Sequence, residues 1–171
     1  MTNPIVITGF MGSGKSKVAR ELSRHLKVTM IDLDDAITAR EGKTPAQLIV
    51  ETGEPYFRSI ESNVLRELLQ TNAAAIISLG GGAWIEETNR RMIDEFSCVS
   101  VWLDAPFAVC WARIEVSDED RPLGRNKDHA FELYERRRPT YQLAAIHVQS
   151  SGDNLQDVIY ALERELKTIN Y

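Results

Sequence analysis

The chain has 171 residues, of which 43% are hydrophobic and 26% charged, and its formal net charge is −5 at pH 7. This length and apolar content predict a single domain, residues 1–171, with a full-sized core. The acidic balance argues against nucleic acid as a partner, because proteins that bind a phosphate backbone usually carry a basic stripe. The sequence has no apolar run of membrane-spanning length and no signal peptide. We therefore expect a cytoplasmic protein that binds no membrane. The lack of a long apolar surface pattern favours a monomer.

Short apolar runs alternate with amphipathic helical patterns along the chain. In the first predicted helix, Lys15–Leu26, apolar residues recur every four positions, and similar one-sided spacing predicts helices around residues 60–69 and 155–166. The predicted strands are residues 5–8, 28–31, 74–79, 99–103 and 146–149. Strands separated by helices favour a five-stranded parallel sheet with helices on both faces, which is a three-layer α/β/α architecture.

A glycine-rich segment follows the first predicted strand. Residues 9–16 read GFMGSGKS, the G-x-x-x-x-G-K-S/T pattern of a loop that cradles nucleotide phosphates. Its glycines allow positive φ and close backbone approach, so that successive N–H groups form an anion nest at a helix N-terminus. The Lys15 ammonium suits the β- and γ-phosphates, and the Ser16 hydroxyl suits Mg²⁺. The motif predicts a nucleoside triphosphate site that includes Gly12, Ser13 and Gly14. The alternative is an ordinary glycine-rich turn.

Carboxylates follow the second predicted strand, in the run Asp32-Leu33-Asp34-Asp35. In an extended strand end, alternation would place Asp32 and Asp34 on one face. One carboxylate could hold a water on Mg²⁺, and the other could orient or deprotonate a substrate hydroxyl. We expect Asp35 to cap the following helix, predicted over residues 36–40.

Three glycines, Gly80, Gly81 and Gly82, follow the third predicted strand. They either bring main-chain N–H groups to a ligand or form a tight turn before a helix predicted over residues 84–96. Earlier in the chain, Arg58 and Glu61 are three residues apart on a predicted helix. They form either a surface ion pair or a carboxylate-oriented guanidinium that grips a substrate carboxylate in bidentate fashion.

Residues 113–138 form a segment in which 14 of 26 residues are charged, seven of each sign. Such a segment contributes little to a core, so it is either a solvated helix–loop–helix or a mobile lid over the phosphates. It ends in Arg136-Arg137-Arg138, which is either a second anion clamp or a solvated face.

Taken together, these motifs resemble the shikimate kinase family, small P-loop enzymes related to nucleoside monophosphate kinases. The matching segments occur in the family's order from about residue 5 to residue 141, and they are GFMGSGKS, IDLDDAI, GEPYFRSIE, SLGGGA, DRPL and RRPTY. The resemblance implies a P-loop kinase fold with a phosphate loop at 9–17, an acceptor-binding region at 32–61 and a mobile lid at 113–128. It also implies phosphorylation of the 3-hydroxyl of shikimate, with ATP as co-substrate and Mg²⁺ as cofactor.

The resemblance also implies roles for single residues. Those matched to shikimate binding are Asp34, Arg58, Gly80, Gly81, Gly82 and Arg137. Lys15, Asp34 and Arg121 match the catalytic positions, with Arg121 in the lid. Arg113 matches an arginine near the adenine, and Asp32 matches the carboxylate that orders Mg²⁺ through water. Lys17 belongs to the implied nucleotide site but stands where the family usually has a small hydroxyl residue.

Two other functions compete with this one. A sibling kinase for another small hydroxylated acid, such as gluconate, would keep the phosphate loop and change the acceptor pocket. Arg58, Arg137 and the three glycines favour a compact ring that bears a carboxylate. A non-catalytic nucleotide switch would be expected to lack the loop lysine, the loop serine or the lid arginine, and the sequence has all three.

Overall fold

The centre of the fold is a five-stranded parallel sheet. A computed structural model describes residues 3–117, 126–150 and 154–168. The strands are β1 (Ile5–Thr8), β2 (Met30–Asp32), β3 (Ile76–Ser78), β4 (Val99–Asp104) and β5 (Ile146–Gln149), in the order β2-β3-β1-β4-β5. β1 is central, with Ile7 opposite Ser78 of β3 and Val101 of β4. The predicted parallel sheet is confirmed, and β1 and β5 have their predicted bounds.

Helices connect the strands and cover both faces of the sheet. They are α1 (Lys15–Leu26), α2 (Leu33–Glu41), α3 (Pro45–Thr52), α4 (Glu54–Gln70), α5 (Glu87–Glu95), α6 (Phe107–Glu115), α7 (Lys127–Tyr141) and α8 (Leu155–Thr168), with a 3₁₀ turn at Ala83–Ile85. None of the helices in these described ranges is long and apolar enough to cross a membrane.

The alternation of side chains along β1 divides the core into two layers. Ile5 and Ile7 pack with buried residues of α1 and α8 on one face of the sheet. Val6 faces the other side, where it belongs to a larger cluster with residues of α2–α7. Because both faces of a parallel sheet are buried, its strands are apolar on both sides. The predicted three-layer α/β/α architecture is confirmed.

The second strand and the helix after it differ from the prediction. β2 ends at Asp32, whose extended backbone (φ −88°, ψ 128°) and side chain make it the N-cap of α2. Its Oδ1 accepts the backbone N–H of Asp34 at 3.0 Å. The prediction that Asp35 is the cap is therefore wrong, because α2 begins at Leu33, before that residue. Asp34 lies in the first turn of the helix and not in a strand that alternates with Asp32.

The helix predicted over residues 84–96 is interrupted. The chain forms a 3₁₀ turn at Ala83–Ile85, becomes extended at Glu86 (φ −71°, ψ 118°), and only then starts α5 at Glu87. The Arg90 guanidinium donates to the carbonyl oxygens of Trp84 and Ile85 at 2.6 and 2.7 Å. This side chain satisfies backbone acceptors that a continuous helix would have paired.

Replacing a core leucine should destabilise the fold far more than replacing an exposed one. Leu65 of α4 is fully buried in the larger cluster. We expect Leu65→Ala to lower the free energy of unfolding by about 2–5 kcal/mol, because it removes apolar contacts and leaves a cavity. The matched control is Leu143→Ala, since Leu143 is 65% exposed, and it should change the free energy by less than about 0.5 kcal/mol. Urea denaturation measures both, and equal losses would contradict the assigned core.

Candidate active site

Two adjoining clefts open where the chain leaves β1, β2 and β3. The phosphate cleft, of about 300 Å³, is lined by the loop after β1 together with Lys17 and Arg113. The acceptor cleft, of about 560 Å³, is lined by residues of α2, α3 and α4 together with Arg137. Both clefts share six lining residues, which are Met11, Ser16, Asp32, Asp34, Gly80 and Gly81. The shared residues are where a group could pass from one ligand to the other.

The glycines of residues 9–16 permit a backbone that other residues could not adopt. Gly12 and Gly14 have φ of 78° and 97°, in the left-handed region. A Cβ on Gly12 would lie 2.5 Å from the carbonyl oxygen of Cys110, so α6 packs directly against the loop backbone. Gly14 is the N-cap of α1. The N-terminus of α1, whose first N–H groups have no carbonyl partner one turn earlier within the helix, therefore lies at the phosphate cleft, as an anion site requires.

The polar side chains of this loop are held in place. Lys15 is 8% exposed, and its Nζ donates to the carbonyl oxygen of Phe10 at 2.9 Å. Ser16 Oγ donates to Oδ2 of Asp32 at 2.5 Å and lies 3.4 Å from Ser78 Oγ. Sequence reasoning missed Ser78, whose only signal is a polar residue at the end of an apolar strand.

The Ser16 hydroxyl and the Asp32 carboxylate fit a Mg²⁺ ion. Both are hard oxygen donors, adjacent to each other on the wall of the phosphate cleft. No group of three or more His, Cys, Asp or Glu side chains among the described residues could hold a metal. Mg²⁺ at phosphate sites is usually held by one or two protein oxygens, waters and the phosphates themselves, so this small donor set suits it.

Asp34 lies at the junction of the two clefts with a perturbed carboxyl. Burial and the nearby Asp32 charge raise its pKa to about 6, against the lowering effect of Lys15 and Arg58. A Cβ on Gly80 would lie 2.8 Å from Asp34 Oδ1, so glycine lets the β3 loop lie against the carboxylate. Asp34 is thus ionised at neutral pH but basic enough to accept a proton from a hydroxyl.

Arg58 is the centre of a buried ion-pair network in the acceptor cleft. Its Nη1 donates to Glu61 at 2.7 Å and its Nη2 donates to Glu54 at 2.9 Å. The side chains of Arg58 and Glu61 are 13% and 1% exposed, so the alternative of a surface ion pair is wrong. Burial raises the pKa of Glu61 to about 7, while Arg58 lowers it. A Cβ on Gly82 would overlap the guanidinium, which fixes the approach of the β3 loop.

The three consecutive arginines of α7 point to different surroundings. Arg136 is exposed, whereas Arg137 is 8% exposed, lines the acceptor cleft and donates to the Gly81 carbonyl oxygen at 3.3 Å. Arg138 forms an ion pair with Asp104 at 3.0 Å. The solvated-face interpretation fits Arg136, and it fits the 43% exposed Arg138 in part.

Two predicted residues near the lid remain. Arg113 Nη1 donates to the Gly12 carbonyl oxygen at 2.9 Å, so in the structure it lies against the phosphate loop. Arg121, in the middle of the predicted lid, lies outside the described residues. The predicted lid range begins within α6 and ends within α7.

Much of the acceptor cleft wall was absent from the sequence predictions. These residues belong to no motif, and only the folded arrangement of α1–α4 brings them to the cleft. They are Arg20, Thr38, Thr44, Pro45, Ala46 and Ile49. Phe57 also lines the wall, and it lies in the GEPYFRSIE segment, from which no role was predicted for it. The one local signal is the Thr44–Gln47 capping box, which starts α3 and so directs its first turn toward the cleft.

Comparison with known proteins identifies one family. The sequence model for shikimate kinase matches residues 11–167. The shikimate kinase of Cereibacter sphaeroides is 37% identical over 167 residues, which cover 96% of this chain and 82% of that protein. The crystal structure of Acinetobacter baumannii shikimate kinase in complex with shikimate has a TM-score of 0.90 at 26% identity, covering 98% of this chain and 94% of that one.

A gluconokinase from Sinorhizobium meliloti is similar in fold alone. Its TM-score is 0.65 at 16% identity, with coverage of 98% of this chain and 95% of that one.

The raised pKa of Asp34 predicts that its removal stabilises the fold at neutral pH. Because the folded-state pKa is about 6 and the ordinary value is 3.8, folding loses stability as the pH rises through this range. Asp34→Asn should therefore exceed the wild type in unfolding free energy at pH 7.5, by up to about 3 kcal/mol, and the gain should disappear near pH 4.

Urea denaturation at the two pH values measures this difference. The control is Asp35→Asn, an exposed neighbour in the first turn of α2. It should be neutral or slightly destabilising, since a carboxylate near a helix N-terminus is favourable. A loss of stability in Asp34→Asn at pH 7.5 would contradict the raised pKa of the Asp34 carboxyl.

Proposed function

This chain belongs to the shikimate kinase family, and we propose that it transfers the γ-phosphoryl group of ATP to the 3-hydroxyl of shikimate, giving 3-phosphoshikimate and ADP. The observation that carries the proposal is the position of Asp34. It lines both the phosphate cleft and the acceptor cleft, with the buried Arg58 and Arg137 in the latter. A proton acceptor is thus placed between a triphosphate site and a site for a small carboxylic acid.

On the donor side, the phosphate loop would bind the nucleotide. The N–H groups at Gly12 and Gly14 and the N-terminus of α1 would hold phosphate oxygens, whereas the Ser13 N–H between them donates to the Phe10 carbonyl oxygen at 3.1 Å. Lys15 would offset the charge that develops on the transferred group. Ser16 would hold Mg²⁺ directly and Asp32 through a water, and the bound ion supplies further positive charge at the phosphoryl oxygens.

Three further cations complete the proposed nucleotide site. Lys17 is exposed in the first turn of α1 and lines the phosphate cleft, so its ammonium can approach the phosphates where a hydroxyl would donate a hydrogen bond. Arg113 lies against the loop and would contact the nucleotide from α6. Arg121, in the predicted lid, would close on the transferred phosphoryl group and exclude water.

On the acceptor side, Arg58 and Arg137 would bind the carboxylate of shikimate. Two of the five N–H donors of Arg58 are used by Glu61 and Glu54, and the others stay available for a bidentate contact. The β3 loop at Gly80, Gly81 and Gly82 leaves room for the ring, because a side chain at Gly80 would meet Asp34 and one at Gly82 would overlap Arg58. That the enzyme is a cytoplasmic monomer of one domain stays a prediction.

Asp34 would act on the reacting hydroxyl. At neutral pH its carboxylate is ionised, so it can orient the hydroxyl and take its proton as the oxygen attacks the γ-phosphorus. The neighbouring Lys15 charge keeps the pKa of Asp34 from rising further. Proton transfer and phosphate charge are therefore controlled by two side chains that lie near each other.

The direct test is ADP release with ATP, Mg²⁺ and a panel of hydroxylated acids. We expect turnover that depends on shikimate, with gluconate at background, because the cleft presents two arginines to a compact carboxylate-bearing ring. Asp34→Asn should abolish turnover in the same assay. Equal rates with gluconate, or none with shikimate, would refute the proposal.

The carboxylate clamp is tested by Arg58→Lys. Lysine keeps the charge and loses the planar fork, so the KM for shikimate should rise about 10- to 100-fold, the equivalent of one charge-assisted hydrogen bond. The KM for ATP should change less than about twofold, since Arg58 does not line the phosphate cleft.

The matched control for this clamp is Arg66→Lys, the same substitution at an exposed position of α4. It should leave both constants unchanged. If Arg58→Lys weakens ATP as much as shikimate, Arg58 supports the fold instead of the acceptor.

A further inference from the structure

An ion pair lies one residue beyond the acceptor arginine Arg137. Nη2 of Arg138 lies 3.0 Å from Oδ2 of Asp104, the last residue of β4; the Asp104 side chain is 8% exposed and the Arg138 side chain 43%. Gln149 at the end of β5 donates to the same oxygen at 3.0 Å. The guanidinium lies 5.6 Å from the centre of the Trp102 ring. These contacts join α7 to the carboxyl ends of two strands.

The turn of α7 that carries Arg137 lacks a backbone hydrogen bond. Pro139 lies inside the helix and has no N–H, so the carbonyl of Glu135 loses its partner four residues on. Proline at such a position tends to kink a helix. Arg137 lies between Glu135 and Pro139, in the turn where the missing hydrogen bond leaves the helix backbone less constrained.

Side-chain contacts hold this turn from two directions. On the β3 side, the Tyr141 hydroxyl donates to the Gly81 carbonyl oxygen at 2.5 Å, and Trp84 Nε1 donates to the Thr140 carbonyl oxygen at 2.9 Å. On the β4 side, the Asp104–Arg138 ion pair supplies the opposing contact. With one side released, the turn could rotate about the other and carry Arg137 away from the cleft.

The ion pair also separates the roles of two adjacent cations. Asp104 neutralises Arg138, whereas no carboxylate within residues 3–117, 126–150 and 154–168 forms an ion pair with Arg137. The Arg137 contact with the Gly81 carbonyl oxygen, at 3.3 Å, is a long hydrogen bond and a weak restraint. The Tyr141 hydroxyl, one turn further along α7, also hydrogen-bonds to Arg137. The direction of Arg137 therefore depends on the orientation of this turn of α7.

We propose that Asp104 and Arg138 are positioning residues for the acceptor site. Their ion pair fixes the orientation of the Pro139-containing turn of α7, so that Arg137 points into the acceptor cleft and meets the substrate carboxylate. The proposal rests on the proposed function, because it takes Arg137 to bind that carboxylate. Asp104 and Arg138 themselves line neither the acceptor cleft nor the phosphate cleft.

The test compares Arg138→Gln with Arg136→Gln, the same change at the exposed neighbour. We expect Arg138→Gln to raise the KM for shikimate about 10-fold, with kcat and the KM for ATP changed less than about twofold. Arg136→Gln should change none of them. Asp104→Asn should resemble Arg138→Gln, and the double variant should be no worse than either, since both remove one interaction.

A second arm asks whether the effect passes through Arg137. In an Arg137→Gln background, Arg138→Gln should add nothing to the KM for shikimate. If it still raises the KM about 10-fold, or if the single variant leaves the KM unchanged, the positioning role is refuted. Arg138→Lys keeps the charge and should show a smaller rise, so it serves where the glutamine variant does not fold.

Wild-type turnover is measured in the same assay. Its absence with shikimate would refute the proposed function. Wild-type turnover together with a parallel loss of ATP and shikimate affinity in Arg138→Gln would instead assign the ion pair to general stability and refute positioning.

Discussion

Parallel pairing of β1 with β3 and β4 is the constraint on which the site depends. In a parallel sheet all carboxyl ends lie at one edge, so the segments that leave neighbouring strands are forced together. The phosphate loop leaves β1, the Asp32–Asp34 segment leaves β2, and the three glycines leave β3. Residues separated by as many as 70 positions in sequence thus meet at one cleft junction. The pairing of the strands brings them together, and no contact between the residues themselves is required.

The second constraint is the space that glycine leaves for charged groups. At Gly80 and Gly82 a side chain would overlap the Asp34 carboxylate or the Arg58 guanidinium. The loop therefore covers one side of these charged groups, and the resulting burial raises the pKa of Asp34. The cost of burying them is reduced by pairing, because Arg58 lies between Glu54 and Glu61. At this point of the fold, the glycines allow the charged groups to be buried, and their pairing reduces the cost of burial.

The elements that could be predicted from the sequence are those with a regular residue spacing or a known motif. The apolar run of β1, the four-residue spacing of α1 and the glycines of the phosphate loop are local signals, and each corresponds to an observed element. Long-range effects were not predictable. Asp32 is the cap of α2 because β2 ends at this residue. Arg138 pairs with Asp104 because the fold brings α7 close to the end of β4. Some wall residues of the acceptor cleft, such as Ile49, belong to no motif, and their position depends on how α3 packs.

Asp32 illustrates how closely the two halves of the site are connected. One of its oxygens accepts the Ser16 hydroxyl and the other accepts the Asp34 backbone N–H. A single carboxylate therefore lies beside the proposed metal position and also caps the helix that carries Asp34, the proposed base. Replacing Asp32 would uncap α2 and move Asp34 at the same time as it weakened metal binding. Loss of activity in such a variant would be no measure of metal dependence, because donor and acceptor chemistry share this one side chain.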